Sequence, residues 1–334
     1  MPPILLKILT SPVQALTWIG GQGARAIAAL VFIGVALPPL GELLKPCVAE
    51  AIFLLLCISF MRVDVSALRN YLRRPGLVIA ATAWTTLAVP AIIGLGAVAV
   101  GTDARWPDLF LALMLQGVAS PMMASPALAA VMGLDATLVL VTLVTSTTLV
   151  PFTAPLLAYA FLGTAFKLSP LGLGVKLAAI LSGSLLVALV LRRAMGVAAI
   201  QRHKLTIDGI NIIVLLVFVS AVMGNVAGSL FADPLLMIEL GLIAFGVFFA
   251  LTGVSALIFR AAGHERALAV GLMVSQRNMG LMVAATDGLL PGTTWLYFAL
   301  SQFPIYLSPQ LLKPIVRRLT AREAVAAVAK AADA

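Results

Sequence analysis

Residues 267–289 read ALAVGLMVSQRNMGLMVAATDGL, an apolar stretch long enough to cross a bilayer, with a polar patch, SQRN, at its centre. Arg277 in this patch lies 11 residues after Arg266 and 10 residues before Asp287. At about 1.5 Å per residue it is about 15 Å from either end, which is half of the hydrocarbon core. Placing a charged arginine at the centre of a bilayer costs between about 2.5 and roughly 17 kcal/mol of free energy. The chain tolerates it only where the guanidinium meets water, an anion or fixed acceptors, so this stretch predicts a membrane protein with an internal polar site.

The whole chain has the composition of a membrane protein. Of its 334 residues 62% are hydrophobic and 10% are charged, and the mean hydropathy is +1.11. A soluble domain carries about 25% charged residues, so this chain has too few to cover a surface in water. The two cysteines, Cys47 and Cys57, lie ten residues apart in one apolar run, too far along a helix to pair. These features exclude a soluble enzyme, a disordered protein and a secreted disulfide scaffold.

We predict an all-α polytopic membrane protein with ten transmembrane helices. Five helices in each half force the second half to enter the membrane inverted, so residues 25–162 and 163–316 are interpreted as two inverted five-helix repeats. Residues 1–24 are interpreted as a cytoplasmic or interfacial amphipathic segment, and residues 317–334 as a cytoplasmic tail. The ten predicted segments are residues 25–40, 47–61, 75–100, 106–132, 136–162, 171–191, 207–230, 234–259, 267–289 and 295–315.

The cationic residues are distributed asymmetrically between the two sides of this topology. Of the 22 Lys and Arg residues, 17 fall on the side that holds both termini, three on the other side and two within segments. The positive-inside rule then places both termini in the cytoplasm. The same bias explains the net charge of +9 and the pI of about 10.1 without nucleic acid. Anionic lipid headgroups are the expected partners of these cations.

The fourth segment of each half is predicted to be broken. Residues 120–126 read SPMMASP, and each of the two prolines removes a helix hydrogen bond. Residues 275–278 supply the polar patch at the matching place in the ninth segment. Interrupted helices at corresponding positions of two inverted halves favour a transporter binding site. The alternative is that the prolines only kink transmembrane helices.

Polar side chains from four segments are predicted near one depth, where they form a candidate substrate or ion site. The candidates are Arg277, Asn278, Gln276, Ser275, Ser120, Ser125, Thr85, Thr86 and Thr142. Serine and threonine in membrane helices also bond to their own helix, so each hydroxyl alone is weak evidence. Two interpretations of Arg277 stay open. It is either an anion-binding or coupling residue, or a structural residue held by backbone carbonyls that the helix break frees.

No carboxylate is placed to neutralise Arg277 at the middle of the membrane. Glu50 and Glu239 lie in apolar runs, each near the outer end of its segment, while His203 and His264 fall in predicted cytoplasmic loops. The sequence contains no metal-ligand cluster, phosphate loop or nucleophile triad. We therefore expect neither enzymatic activity nor a bound cofactor.

Several local strings resemble the bile acid:sodium symporter family. They are FMRV at 60–63 through LRRP at 72–75, residues 85–90, residues 119–133 with the hydroxyl-rich run to Pro151, and RNMGL at 277–281. The similarity covers most of residues 25–315, and the ninth segment is its most specific part. The resemblance implies a bacterial homologue in the inner membrane, with ten helices in inverted halves and crossing helices four and nine. It also implies that segments one, two, six and seven shift as a panel.

The sodium sites of that family are altered in this chain. The family holds two sodium ions beside the crossing helices, and its Gln-Asn pair in segment nine becomes Arg277-Asn278 here. The family's glutamate falls near Met273, its Ser-Asn pair becomes Ser125-Pro126, and its segment-three glutamine falls at or near Thr85. A sodium ion about 4 Å from a guanidinium would be repelled by about 4 kcal/mol at an effective dielectric of about 20.

We therefore expect Arg277 to stand in place of a sodium ion in a secondary transporter. The expected substrate is a small organic anion, most simply a carboxylate, and sodium coupling is expected to be weak or absent. One alternative keeps sodium symport, with backbone carbonyls replacing the lost ligands. Another is a non-transporting membrane sensor or partner-binding module, in which Arg277 is locked in a salt bridge that no cavity reaches.

Overall fold

A computed structural model of the protein describes residues 11–63, 75–163, 169–286 and 290–332, with side chains described as far as residue 319. Within these ranges the chain is helical and contains no β-strand, apart from one isolated bridge. It is an all-α membrane protein, as predicted. The helices are α1 (Pro12–Gln22), α2 (Ala24–Ala36), α3 (Pro38–Leu44), α4 (Val48–Met61), α5 (Pro75–Ala83), α6 (Val89–Ala99), α7 (Thr102–Arg105), α8 (Pro107–Val118), α9 (Ser125–Met132), α10 (Ala136–Leu162), α11 (Pro170–Met195), α12 (Val197–Arg202), α13 (Lys204–Met223), α14 (Val226–Ala232), α15 (Pro234–Ile258), α16 (His264–Ser275), α17 (Met279–Ala285) and α18 (Gly292–Ala332).

Six helical runs in the described ranges are long and apolar enough to cross a membrane by themselves. Counting the bent pair α1 and α2 as one span would make seven. Large apolar side chains point outward from these runs, for example Leu171, which is 78% exposed, and Leu242, which is 69% exposed. Such surfaces are suited to lipid and not to water. The six runs are Pro38–Met61, Pro75–Ala99, Ala136–Leu162, Pro170–Met195, Lys204–Ala232 and Pro234–Ile258.

The boundary between the first two segments differs from the prediction. The sequence predicted one segment ending at residue 40 and the next beginning at residue 47, whereas α2 ends at Ala36 and the second span begins at Pro38. Pro38 and Pro39 are well accommodated at the start of this span, because the first turn of a helix does not use its backbone N–H groups as intrahelical donors. Lys45–Cys47 form a single tight turn that joins α3 to α4. The second span is therefore 24 residues long.

The predicted breaks in the fourth and ninth segments are both present. The fourth segment forms α8 and α9 on either side of residues 119–124, and the ninth forms α16 and α17 on either side of residues 276–278. The narrow predicted boundary after the fourth segment is also present. Gly133 ends α9 with a positive φ of 76°, and Asp135 caps α10 by accepting a 2.8 Å hydrogen bond from the Leu138 N–H.

The N-terminal helix α1 packs tightly on α13 through glycines. A Cβ atom at Gly209 would lie 2.0 Å from the carbonyl oxygen of Leu16, and one at Gly20 would lie 1.9 Å from that of Leu205. The Thr17 and Thr206 hydroxyl oxygens are 3.0 Å apart across the same contact. The C-terminal part of the predicted amphipathic segment is thus joined closely to the seventh segment.

Some predicted features lie outside the described residues. They are residues 1–10 with Lys7, residues 64–74 with Arg69, Arg73 and Arg74, and also Lys167 and Asp287.

Candidate functional site

The two helix breaks meet and pair with each other. An antiparallel bridge joins Pro121 to Arg277. The Met122 N–H donates to the Gln276 carbonyl at 2.7 Å, and the Asn278 N–H donates to the Ser120 carbonyl at 2.8 Å. A broken helix leaves backbone groups without partners, and lipid supplies none. Each break therefore satisfies backbone groups of the other, and the crossing of segments four and nine rests on these two hydrogen bonds.

Arg277 is buried at this crossing and bound to backbone carbonyls. Its side chain is 2% exposed. Its Nε donates to the Val274 carbonyl at 2.7 Å, and its Nη1 donates to the carbonyls of Ala119 at 2.9 Å and Thr85 at 3.1 Å. Its Nη2 also donates to Thr85, at 3.2 Å. Four of the five guanidinium N–H groups are engaged in this way, so one N–H on Nη2 remains for another partner.

Two of these carbonyls are free because of the breaks themselves. The Val274 carbonyl would accept from the N–H of residue 278 in a continuous helix, but the Asn278 N–H donates to Ser120 instead. Ala119 follows the last residue of α8, where the helix stops and the chain becomes extended. Arg277 thus takes up acceptors that would otherwise be unpaired in the membrane.

The third carbonyl, that of Thr85, is free for a different reason. Residues 84–88 form a π turn between α5 and α6, in which the Val89 N–H donates to the Trp84 carbonyl, five residues back. The same register would pair residue 90 with Thr85, but Pro90 has no N–H. The wider turn and the proline together present the Thr85 carbonyl to Arg277. The structural interpretation of Arg277 has direct support from these contacts.

The positive charge of Arg277 has no ionic partner in the described part of the chain. Carboxylates in the described residues pair with other arginines. Asp208 lies 2.6 Å from Arg62, and Asp135 lies 3.4 Å from Arg266. Carbonyl dipoles stabilise the guanidinium but leave its net charge in place. The crossing is therefore a site of fixed positive charge in an apolar surrounding.

A small cavity lies beside this crossing. Its volume is about 80 Å³, and Arg277 and Asn278 line it together with Met123. Its opposite wall belongs to α4 and α13 and carries two polar side chains, Ser59 and Asn211. Pockets for small organic ligands have volumes of about 300–1,000 Å³. The cavity in this conformation is thus smaller than a typical ligand site.

Of the nine predicted site residues, Arg277 and Asn278 line this cavity. The Thr85 and Thr86 hydroxyls donate to the carbonyls of Ala81 and Thr82, one helical turn back. Ser275 likewise donates to Leu272. These hydroxyls bond within their own helices, which is the common arrangement in membrane helices.

The other four predicted residues, Gln276, Ser120, Ser125 and Thr142, are buried and do not line the cavity. Gln276 donates through Nε2 to the Ser308 hydroxyl at 2.7 Å, and its Oε1 has no partner. The hydroxyls of Ser120, Ser125 and Thr142 are also buried without hydrogen-bond partners in the structure. Buried polar atoms normally have partners, so these oxygens are candidates to contact a water molecule or a cation.

Ser146 is a buried residue that belongs with this group and was not among the predicted site residues. Its hydroxyl also has no partner, and it lies one turn after Thr142 on the same face of α10. Ser125 begins α9, which packs against α10. We call Ser125, Thr142 and Ser146 the hydroxyl cluster. Its neutral oxygens are ligands that a hard cation accepts, but it contributes no carboxylate to balance the charge of one.

Sequence reasoning missed Gln302 and Tyr306, which line the cavity from α18. It also missed Ser59 and Asn211 on the opposite wall. Neither side chain has a hydrogen-bond partner within the described residues, so both can contact a guest in the cavity. Asn211 lies in a long apolar run, 207–230, and that contrast is the signal that could have identified it. In the described part of the chain, no group of three or more His, Cys, Asp and Glu side chains is arranged to hold a metal ion.

Comparison with family models and with curated proteins identifies no relative. The resemblance to the bile acid:sodium symporter family therefore rests on the local strings of the sequence.

Proposed function

We propose that the protein is a secondary transporter of a small organic anion, with a carboxylate as the expected substrate class. The observation that carries this proposal is the charge of Arg277, which has no ionic partner in the described residues and faces a cavity where two broken helices cross. Broken helices that meet inside a membrane supply backbone groups for substrate, and a fixed positive charge favours an anion.

The proposed architecture has ten spans in two inverted halves, in a divergent member of the bile acid:sodium symporter family. It adds four spans to the six long helical runs: the first includes α2, the fourth consists of α8 and α9, the ninth of α16 and α17, and the tenth is the first part of α18. The corresponding positions of the two breaks support inversion. The proposed location is the bacterial inner membrane, with both termini in the cytoplasm.

Arg277 is proposed to act on the substrate mainly through its charge. Because four of its five N–H groups bind carbonyls, it cannot hold a carboxylate with two parallel hydrogen bonds without releasing them. Direct donors are available nearby. Asn278 uses its Oδ1 to accept from the Leu281 N–H at 3.1 Å, which leaves its NH₂ group free, and Asn211 and Ser59 face it from the other wall.

Transport requires the two walls of the cavity to separate, because about 80 Å³ is too small for most organic anions. Gly280 lies where the walls meet. A Cβ atom there would lie 3.1 Å from the Phe218 ring on α13 and 3.3 Å from Ile52 on α4. The missing side chain lets the crossing pack closely against α4 and α13. We propose that these two helices move as part of a panel against a fixed crossing, giving alternating access.

The experiment is uptake of radiolabelled carboxylates into proteoliposomes, with and without a sodium gradient. A panel of purified carboxylates is first screened by thermal shift to choose the substrate. We expect uptake that persists without sodium and that falls strongly in Asn211→Ala and in Arg277→Gln. Asn211→Ala keeps the carbonyl contacts of Arg277, so it reports on substrate binding even if Arg277→Gln fails to fold. Absence of binding and uptake for every carboxylate contradicts the proposal.

The alternative of a sensor or partner-binding module predicts Arg277 in a salt bridge and away from any cavity. In the described residues Arg277 has no carboxylate partner, and it lines the cavity beside the crossing. These two features favour transport over a purely structural module.

Sodium-coupled symport is a second candidate because of the hydroxyl cluster. Three buried hydroxyls without partners, with the unpaired Gln276 Oε1, are unusual unless a guest takes them up. If sodium is that guest, uptake requires a sodium gradient and Ser146→Ala raises the sodium concentration needed for half-maximal rate. Thr153→Ala is the matched control, since Thr153 lies on the same helix, is only half-buried and donates to the Leu149 carbonyl. Sodium-independent uptake in the unmodified protein excludes this candidate.

A further inference from the structure

A second cavity, separate from the crossing, lies on the outer surface of the helices. It is a groove of about 450 Å³ between α10, α11 and the end of α4. Its walls are almost entirely apolar, and the large apolar side chains on them include Phe60, Val144, Phe152, Leu181, Leu185 and Leu189. We call it the lateral groove.

The lateral groove faces the surroundings of the helices and not the interior of the protein. Phe152 is 73% exposed and Leu189 is 54% exposed, and both lie on long apolar helices that cross the membrane by length and composition. In a bilayer such a surface contacts lipid chains. An apolar groove of this volume in a lipid-facing surface can accept an acyl chain and excludes water.

One end of the lateral groove carries a positive charge. Arg192, in the last turn of α11, lines the groove there, and its Nη1 donates to the carbonyls of Val63 at 2.6 Å and Met61 at 3.4 Å. These bonds fix its guanidinium beside the end of α4. Arg62, next in sequence to Met61, is already paired with Asp208, whereas Arg192 forms no ion pair within the described residues.

The dimensions of the lateral groove fit a lipid from one leaflet. Ala178 and Arg192 both line it, and their separation of 14 positions in the sequence corresponds to about 21 Å along α11. One leaflet contributes about 15 Å of hydrocarbon. Because Arg192 lies three residues from the end of α11, its charge is at headgroup level while the apolar walls continue past the middle of the bilayer.

We propose that the lateral groove binds one anionic phospholipid, with an acyl chain along α10 and α11 and its phosphate on Arg192. The positive-inside topology predicted from the sequence assigns this lipid to the cytoplasmic leaflet. The charge of Arg192 at the groove end favours an anionic headgroup over a zwitterionic one. The lateral groove shares no lining residue with the cavity at the crossing, so this proposal does not depend on the proposed transport function.

Native mass spectrometry of the full-length protein tests this proposal. The detergent-solubilised protein is titrated with phosphatidylglycerol or with phosphatidylcholine of identical chains, and the occupancy of the tightest lipid is measured. We expect the unmodified protein to prefer phosphatidylglycerol. Arg192→Gln should reduce this preference about fivefold, which corresponds to about 1 kcal/mol. Arg193→Gln is the matched control, since it removes the same charge from an exposed neighbour that does not line the groove.

A second variant tests the groove without changing any charge. Ser182 is exposed, lines the groove and bonds only to its own helix, so Ser182→Trp should fill the groove and remove the tightly bound lipid of either kind. Equal loss of phosphatidylglycerol in the Arg192 and Arg193 variants would overturn the proposal, since any surface cation would then suffice. Equal binding of the two lipids by the unmodified protein, or full occupancy in Ser182→Trp, would also overturn it.

Discussion

The fourth segment and α10 both contain internal prolines, yet of these two only the fourth segment is broken. Pro121 lies within the gap at residues 119–124, where the chain leaves helical geometry, and Pro126 lies in the first turn of α9. In contrast, α10 runs for 27 residues through Pro151 and Pro155. The ninth segment breaks without any proline. The number of prolines therefore does not decide where a membrane helix breaks. The difference is that each gap has a partner, since the other gap and Arg277 take up its free backbone groups.

We expect the largest loss of stability from a substitution of Arg277, because this residue binds carbonyls at both gaps. Arg277→Gln leaves the carbonyls of Val274, Ala119 and Thr85 without their donor, which should cost about 3 kcal/mol or more in the free energy of unfolding. Unfolding in mixed detergent, followed by circular dichroism, measures it. Arg277→Lys keeps the charge but not the planar fork, so an intermediate loss is expected.

Arg193→Gln is the control for net charge, since Arg193 is exposed and lies far along the chain from the crossing. Arg193→Gln should leave the free energy of unfolding unchanged. If Arg277→Gln were as stable as this control, the carbonyl contacts would not be what stabilises the two gaps.

The second prediction concerns the packing that positions the ninth segment. A Cβ atom at Gly271 on α16 would lie 2.5 Å from the Thr252 carbonyl on α15, whereas nothing lies within 4 Å of one at Gly246. Gly271→Ala should therefore force α16 away from α15 and destabilise the fold by about 1–3 kcal/mol. Gly246→Ala should be neutral or slightly stabilising because alanine is the better helix former. The same unfolding measurement compares them, and equal stabilities would show that this close contact is not required.

The third prediction separates the capping role of Asn278 from its proposed contact with substrate. Asn278 Oδ1 caps α17 by accepting from the Leu281 N–H. Asn278→Ala should cost about 1 kcal/mol of stability, while Asn278→Asp keeps the cap but adds a negative charge beside Arg277. We expect Asn278→Asp to fold normally and to lose binding of the carboxylate in thermal-shift titrations. A loss of binding in the Ala variant with full binding in the Asp variant would mean that only the cap matters.

Much of the broken-helix arrangement could be predicted from the sequence. The prolines at 121 and 126 and the polar residues 275–278 stand out against apolar surroundings, and depth counting places Arg277 at mid-membrane. The contact with Thr85 could not be predicted, because it depends on the register of a π turn. The hydroxyls of Thr85, Thr86 and Ser275 were equally compatible with a site or with bonds to their own helices, and sequence does not distinguish the two. Asn211 and Ser59 meet the crossing through packing of distant helices, which residue spacing does not reveal.

The last and smallest prediction compares two prolines in helical surroundings. Pro151 lies within the continuous helix α10, so Pro151→Ala restores an N–H that can donate to the Thr147 carbonyl and should stabilise the protein by about 0.5–1.5 kcal/mol. Pro90 follows the π turn, and the carbonyl that its missing N–H leaves free is already bound by Arg277. Pro90→Ala should therefore gain no stability, because the new N–H competes with the guanidinium for Thr85. Unfolding of both variants in parallel checks the difference. Equal stabilisation of the two alanine variants would mean that Arg277 does not hold the Thr85 carbonyl. Only the carbonyls of Val274 and Ala119 would then remain as acceptors that Arg277 takes up.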